Sequence, residues 1–254
     1  MESKTTSNLS CVNNYLSEGI HTVDGWCNPH LWQSIWPLYK AIGDGPVTEI
    51  GVFEGKFFLG LAKTFASKEF DSTAIDVFDM QKFNLDGAGV GKKDKVFENG
   101  EIHKVSRIKT IQADSLTLRQ ADADALIATS GKSKFFSVDG CHEVLHTTND
   151  IEFGMKVIAD DGIIAVDDYM NPNWPGVIEA VAKMYLLREF SFVPLLFTCN
   201  KLLLCSGSYH RDYLKIVHEY VSENHKTTRM KRVKRFGYDT LTLTPNMRVW
   251  ENLV

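Results

Sequence analysis

Between residues 47 and 65 the chain passes from a short apolar run through a glycine-bearing turn straight into a helical pattern, and this junction limits the fold more than any other stretch. Residues 47–52 form the apolar run, which reaches Gly51. Residues 56–65 are too long and too rich in Leu, Ala and Phe for a second strand, so the segment reads as strand, turn and helix. Residues 72–77, 107–112, 134–138 and 162–166 read as further short buried strands, each bounded by polar or glycine residues, as in a parallel sheet covered on both faces. A helix is expected over 149–158, ending at the turn signal Asp160-Asp161-Gly162, and another over 177–188, where Val177, Val181 and Met184 share a face. Residues 191–197 and 201–205 lie too close together for a crossover helix, which predicts an antiparallel hairpin at the sheet edge.

No repeat and no low-complexity linker divides the sequence, so a single domain is expected: an N-terminal helical extension or lid (1–45), a core (46–206) and a C-terminal extension (207–254). With 254 residues, 44% of them hydrophobic and 24% charged, the chain has the balance of a globular protein able to fold without disulfides. Its net charge of −4 offers no general attraction for nucleic-acid phosphates, so no nucleic-acid partner is expected. Five scattered cysteines without a C-x-x-C pair write neither a disulfide framework nor a zinc ribbon, and suit a reducing cytoplasm. No leader pattern opens the chain, and its most apolar stretch, 190–205, is broken by Pro194, Asn200 and Lys201, so no membrane span is expected.

The turn Glu49-Ile50-Gly51-Val52-Phe53-Glu54-Gly55-Lys56 brings backbone close to a ligand and opens a helix whose free N–H groups attract an anion. Its glycine spacing matches neither G-x-G-x-x-G nor a phosphate loop, so a carboxylate suits it better than a pyrophosphate. The plain alternative is that Gly51 and Gly55 only permit a tight turn. Asp76 ends the second strand about 20 residues beyond the glycine turn, where nucleoside-binding α/β folds hold ribose hydroxyls. Asp114, followed by Ser115, lies just after the third strand and suits either an adenine amino group or the cap of the next helix.

These residues resemble class I S-adenosylmethionine-dependent methyltransferases, in the branch of the macrocin-type sugar O-methyltransferases. The likeness runs from about Gly25 to Leu204. It rests on Glu49-x-Gly51-x-x-x-Gly55, on Asp76-Val77-Phe78 with Gln81, Asn84 and Gly87-Ala88-Gly89, on Val138-Asp139-Gly140-x-His142, on Val166-Asp167-Asp168-Tyr169, and on Pro175-Gly176-Val177. Two departures stand out: Phe53 occupies a position that is glycine in many class I members, and Cys141 one that is acidic in some sugar methyltransferases. The resemblance implies a Rossmann-like, mostly parallel seven-stranded sheet of order 3-2-1-4-5-7-6, with helices on both faces and an antiparallel terminal hairpin. It also implies that Glu49, Gly51, Phe53, Gly55, Asp76, Asp114, Ser115 and Asp139 line an S-adenosylmethionine site.

If the fourth and fifth strands are neighbours about 4.8 Å apart, Asp139, Asp167 and Asp168 gather at their carboxyl ends, where three unpaired carboxylates repel. A hard divalent cation, with Mg²⁺ the natural candidate, relieves this simply, and the resemblance implies the same three ligands. Consecutive strand residues point to opposite faces, so Asp167 and Asp168 can share an ion only if the chain turns out of the sheet there. The alternative is that one of them caps a loop and no metal binds. His142 follows Asp139 closely, and an ordinary pKa of about 6.5 suits a general base that deprotonates a substrate hydroxyl; its bland alternative is a loop-fixing hydrogen bond. A His142/His146 zinc pair is weakly written, because H-x-x-x-H lacks the glutamate of the H-E-x-x-H motif.

Trp26, His30, Trp32 and Trp36 form either a lid or a helix packed on the core, and the six basic side chains between Lys226 and Arg235 either a solvated face or a phosphate-binding patch. The expected activity is methyl transfer to a hydroxyl of a sugar, a nucleotide-sugar or a related small polar acceptor, with metal assistance; a homo-oligomer stays open. Two alternatives are a nicotinamide-dependent oxidoreductase, disfavoured by the missing G-x-G-x-x-G, and a catalytically silent cofactor-binding module.

Overall fold

The computed structural model of the chain describes residues 2–66, 69–187 and 190–248. Helices α1 (Glu2–Ser17) and α2 (Trp32–Ile42) lead into β1 (Val47–Ile50), and after the glycine turn comes α3 (Lys56–Leu61), which widens into a π turn at Ala62–Ala66. Then follow β2 (Ser72–Asp76), α4 (Lys93–Ile102), β3 (Ile108–Gln112), α5 (Gln120–Ser130), β4 (Ser133–Val138), α6 (Val144–Val157), β5 (Ile158–Val166) and α7 (Pro175–Leu187). The chain ends in β6 (Phe192–Thr198), β7 (Lys201–Ser206), α8 (His210–Asn224), β8 (Arg229–Arg235) and β9 (Tyr238–Thr244). Of the helix expected over 177–188, Arg188 lies outside the described residues.

Strands β3, β2, β1, β4 and β5 pair in parallel, and β7 joins antiparallel to both β5 and β6. The expected order 3-2-1-4-5-7-6 is present, but the described residues form nine strands: β9 pairs in parallel with β6, and β8 follows it. The hairpin β6–β7 is therefore interior rather than terminal. The sequence of β8, Arg-Met-Lys-Arg-Val-Lys-Arg, hides this because it is exposed along most of its length and carries no apolar alternation. A second correction concerns the turn expected at Asp160-Asp161-Gly162. The chain stays in β5 there as a bulge, with residues 159–162 opposing Lys134 alone. Gly162 permits it, since a Cβ there would lie 2.7 Å from Ile158 Cγ1.

Side chains of β4 alternate between two cores, as the two-residue strand period requires. Phe135 packs with Trp32, Phe58 and Phe65 on one face, and Phe136 with Phe153, Ile164 and Val181 on the other. Trp32 and Trp36 are core residues, Trp32 Nε1 donating to Thr64 Oγ1 at 2.9 Å, whereas Trp26 is 76% exposed beside Phe53. No helix among the described residues is long and apolar enough to cross a membrane.

Candidate active site

A cavity of about 640 Å³ opens over the carboxyl ends of β1, β2, β4 and β5, within the size range of small-ligand pockets. Glu49, Gly51, Phe53, Asp76, Asp114, Ser115, Asp139, His142, Asp167 and Asp168 all line it; of the expected site residues only Gly55 does not. Gly51 is required by backbone contact. Its φ is +83°, and a Cβ would lie 1.8 Å from the carbonyl oxygen of Asp139, so the loops after β1 and β4 can meet only at a glycine. Gly55, also left-handed, caps α3.

Asp76 ties two turns together: its Oδ2 accepts from the Phe53 N–H at 2.9 Å and its Oδ1 from the Phe78 N–H at 2.7 Å. Burial raises its pKa, and these backbone N–H groups work against that rise. Asp114 takes the capping place, accepting from Leu116 N–H at 3.0 Å in the turn after β3, and it also lines the cavity, 3.7 Å from His146 Nε2. Glu49 is a buried carboxyl with one oxygen left over. It is 1% exposed, its Oε1 has no hydrogen-bond partner, and burial pushes its pKa up to about 8 against the opposing pull of Lys201 and Ser137.

At the other end of the cavity the acids are already paired. Lys201, the first residue of β7, is buried; its Nζ donates to Asp167 Oδ2, lies 3.3 Å from Asp139 Oδ2, and stands 4.5 Å from the Phe57 ring centroid. Burial and the adjacent Asp167 charge push Asp139 well above the usual carboxylate range. Asp168 follows Asp167 with φ +53°, so the chain does turn out of the sheet. Asn171 and Asn200 both donate to Asp168 Oδ1, and His142 Nε2 lies 3.1 Å from Asp168 Oδ2. His142 Nδ1 is 2.6 Å from Asp86 Oδ2, which also accepts the His142 backbone N–H, and the imidazole stacks on Trp174 at 4.4 Å. Burial lowers the His142 pKa, but Asp168 and Asp86 outweigh it and hold the ring at about 10, well above the ordinary value near 6.5.

One donor atom each from Asp139, His142 and Asp168 falls within 4.8 Å of the others, a spacing that fits a divalent cation with further water ligands. Asp167 is not in this group; Lys201 holds its Oδ2 and the Asp168 N–H its Oδ1. The His142/His146 pair does not form: His142 precedes α6, and His146 faces Asp114. None of the six basic residues between Lys226 and Arg235 lines the cavity. Lys201, Asp86 and Trp174 were not legible as site residues. The lone lysine heading the apolar Leu-Leu-Leu-Cys run of β7 was the available signal for the first.

Residues 48–169 match the family model described as a methyltransferase domain. No curated protein is significantly similar in sequence. Among solved structures, the O-methyltransferase NovP is 12% identical with a TM-score of 0.55 over 69% of this chain and 77% of its own. CalS11, a TDP-rhamnose 3'-O-methyltransferase of calicheamicin biosynthesis, is 17% identical with a TM-score of 0.51 over 80% of this chain and 95% of its own. MycE, from the mycinamycin pathway and crystallised with Mg and SAH, is 18% identical with a TM-score of 0.53, over 77% of this chain and 54% of its own. These likenesses establish the fold, and residues 48–169 within it carry the match to a methyltransferase domain.

Proposed function

We propose that the protein transfers the sulfonium methyl group of S-adenosylmethionine to a hydroxyl oxygen of a sugar or related small polar metabolite. One observation carries the donor side: the buried, unpartnered Oε1 of Glu49 faces a cavity that can receive a ligand bearing both an ammonium and a sulfonium. On this reading Glu49, Gly51 and Phe53 receive the amino-acid end with Asp139, Gly55 shapes the turn and the start of α3, Asp76 takes the ribose, and Asp114 with Ser115 borders the adenine. The sugar acceptor is supported by the TDP-rhamnose substrate of CalS11 and by the exposed Trp26 beside Phe53, an aromatic face at the cavity wall. A cytoplasmic setting fits the five free cysteines.

In the transfer the S–CH₃ bond breaks as the O–CH₃ bond forms, the sulfur leaves neutral, and the hydroxyl proton must go to a protein group. The chain holds donor and acceptor in line, which is chiefly a proximity effect. His142 is the proposed proton acceptor, with Asp86 fixing its Nδ1 and Trp174 its ring plane. To act, it must first lose the proton that Asp86 and Asp168 keep on it. A divalent ion held by Asp139 and Asp168 would supply Lewis acidity toward the acceptor hydroxyl and neutralise part of the charge that keeps His142 protonated.

Calorimetry with S-adenosylmethionine and S-adenosylhomocysteine, followed by mass spectrometry of a panel of hydroxylated sugars and nucleotide-sugars, tests the reading. Both ligands should bind and one acceptor class should gain a methyl group, and His142→Gln should cut turnover by at least about 100-fold while donor affinity holds. A folded protein that binds neither ligand loses the assignment. Tight binding without turnover on any acceptor would instead make the chain a silent cofactor-binding module.

A further inference from the structure

Lys201 is a buried cation at the head of β7. Its side chain is 4% exposed, and the acidic oxygens it reaches, Asp167 Oδ2 and Asp139 Oδ2, are those of two carboxylates expected to hold a divalent ion. An ammonium buried this deeply is costly unless closely paired, so its position between the two acids and against the Phe57 ring is specific. The partition of the cluster follows. Lys201 takes the Asp139–Asp167 side, while His142, itself shared with Asp86, takes Asp168. An ammonium and a divalent ion compete for the same lone pairs on Asp167 Oδ2, and the Lys201 charge repels any ion that approaches Asp139 from that side.

We propose that Lys201 is a built-in cation that assembles the carboxylate cluster without a metal, removes Asp167 from the ligand set, and confines any divalent ion to the Asp139–Asp168 side. It is a positioning residue. The proposal rests on the cluster being part of the methyl-transfer site, yet it concerns ion binding to the chain alone and stands or falls without turnover.

The experiment is Mn²⁺ binding to the full chain, without donor or acceptor, followed by electron paramagnetic resonance. Lys201→Met should bind Mn²⁺ at least about tenfold more tightly than the wild type, because it removes a unit charge next to the ion and frees Asp167. Adding Asp167→Asn to that variant should abolish the gain. Lys201→Gln carries the same expectation should the methionine variant fail to fold, and Lys201→Arg should bind as weakly as the wild type. In chelator the wild type should keep its melting temperature and its affinity for S-adenosylhomocysteine. Wild-type Mn²⁺ affinity equal to that of the Lys201 variants overturns the proposal. So does a wild type that loses about tenfold in Mn²⁺ affinity on Asp167→Asn alone, or one that melts early in chelator. A failure of methyl transfer would leave these ion-binding results intact, so the two readings fail separately.

Discussion

Glu49 shows how one residue can be built for a partner that the chain itself does not supply. Burial favours its neutral form, raising the carboxyl from 4.5 to about 8, while one oxygen is left without a donor. The sign of the linkage follows from that rise. The folded chain prefers the protonated acid, so its stability from this group is intact below pH 4.5 and is lost as pH climbs toward 8. A ligand ammonium and sulfonium favour the carboxylate instead. Binding of S-adenosylmethionine at pH 7 should therefore expel a proton, and Glu49→Gln should release about one fewer, read as the slope of binding enthalpy against buffer ionisation enthalpy. Equal release from wild type and variant would mean that Glu49 does not meet the ligand's charge.

At the scale of elements, the reacting end of the cavity is where three connections meet: the β2–α4 loop brings Asp86, the β4–α6 loop His142, and the β5–α7 loop Asp168 and Trp174. Helix α7 packs against the loop that bears His142. A Cβ on Gly176 would lie 2.4 Å from the His142 carbonyl oxygen and 3.1 Å from the Val144 nitrogen, both backbone atoms that cannot rotate away. Gly176→Ala should displace the loop bearing His142, costing about 1–3 kcal/mol of stability in urea titrations. Turnover should fall by about 100-fold, as small misplacements of reacting groups do, with donor affinity retained. An alanine variant with full turnover would show that α7 does not set this geometry. The same elements mark what was legible beforehand. Parallel strands betray themselves as short apolar runs, and acids at their carboxyl ends fall into one crevice, so Asp76, Asp139 and Asp168 could be placed from spacing, and Glu49 from the family resemblance. Asp86 and Lys201 gain their meaning from partners 56 and 34 residues away, His142 and Asp167, through loop and hairpin geometry that no local pattern encodes.

On the scale of the whole molecule, the methyltransferase domain match ends at Tyr169, but the sheet continues through β7, β6, β9 and β8. The outer strands pass unnoticed in the sequence because β8 is an exposed edge whose lysines and arginines deter pairing with another chain, a physical reason for the basic run that requires no phosphate ligand. What binds this end to the rest is β9. Leu241 faces Leu196 across the parallel pairing, Leu241 and Leu243 are buried in the core shared with Val193 and Leu195, and Asp239 offers its carbonyl oxygen to His210 Nε2 at 2.8 Å. Leu241→Ala should accordingly destabilise the chain by about 2–5 kcal/mol, seen as a lower denaturation midpoint, because it empties a packed site. Leu241 does not line the cavity, so affinity for S-adenosylhomocysteine under conditions where the variant is fully folded should match the wild type. A folded variant with weakened affinity would mean that the far end of the sheet is mechanically coupled to the site, with β7, which carries Lys201, as the connecting strand.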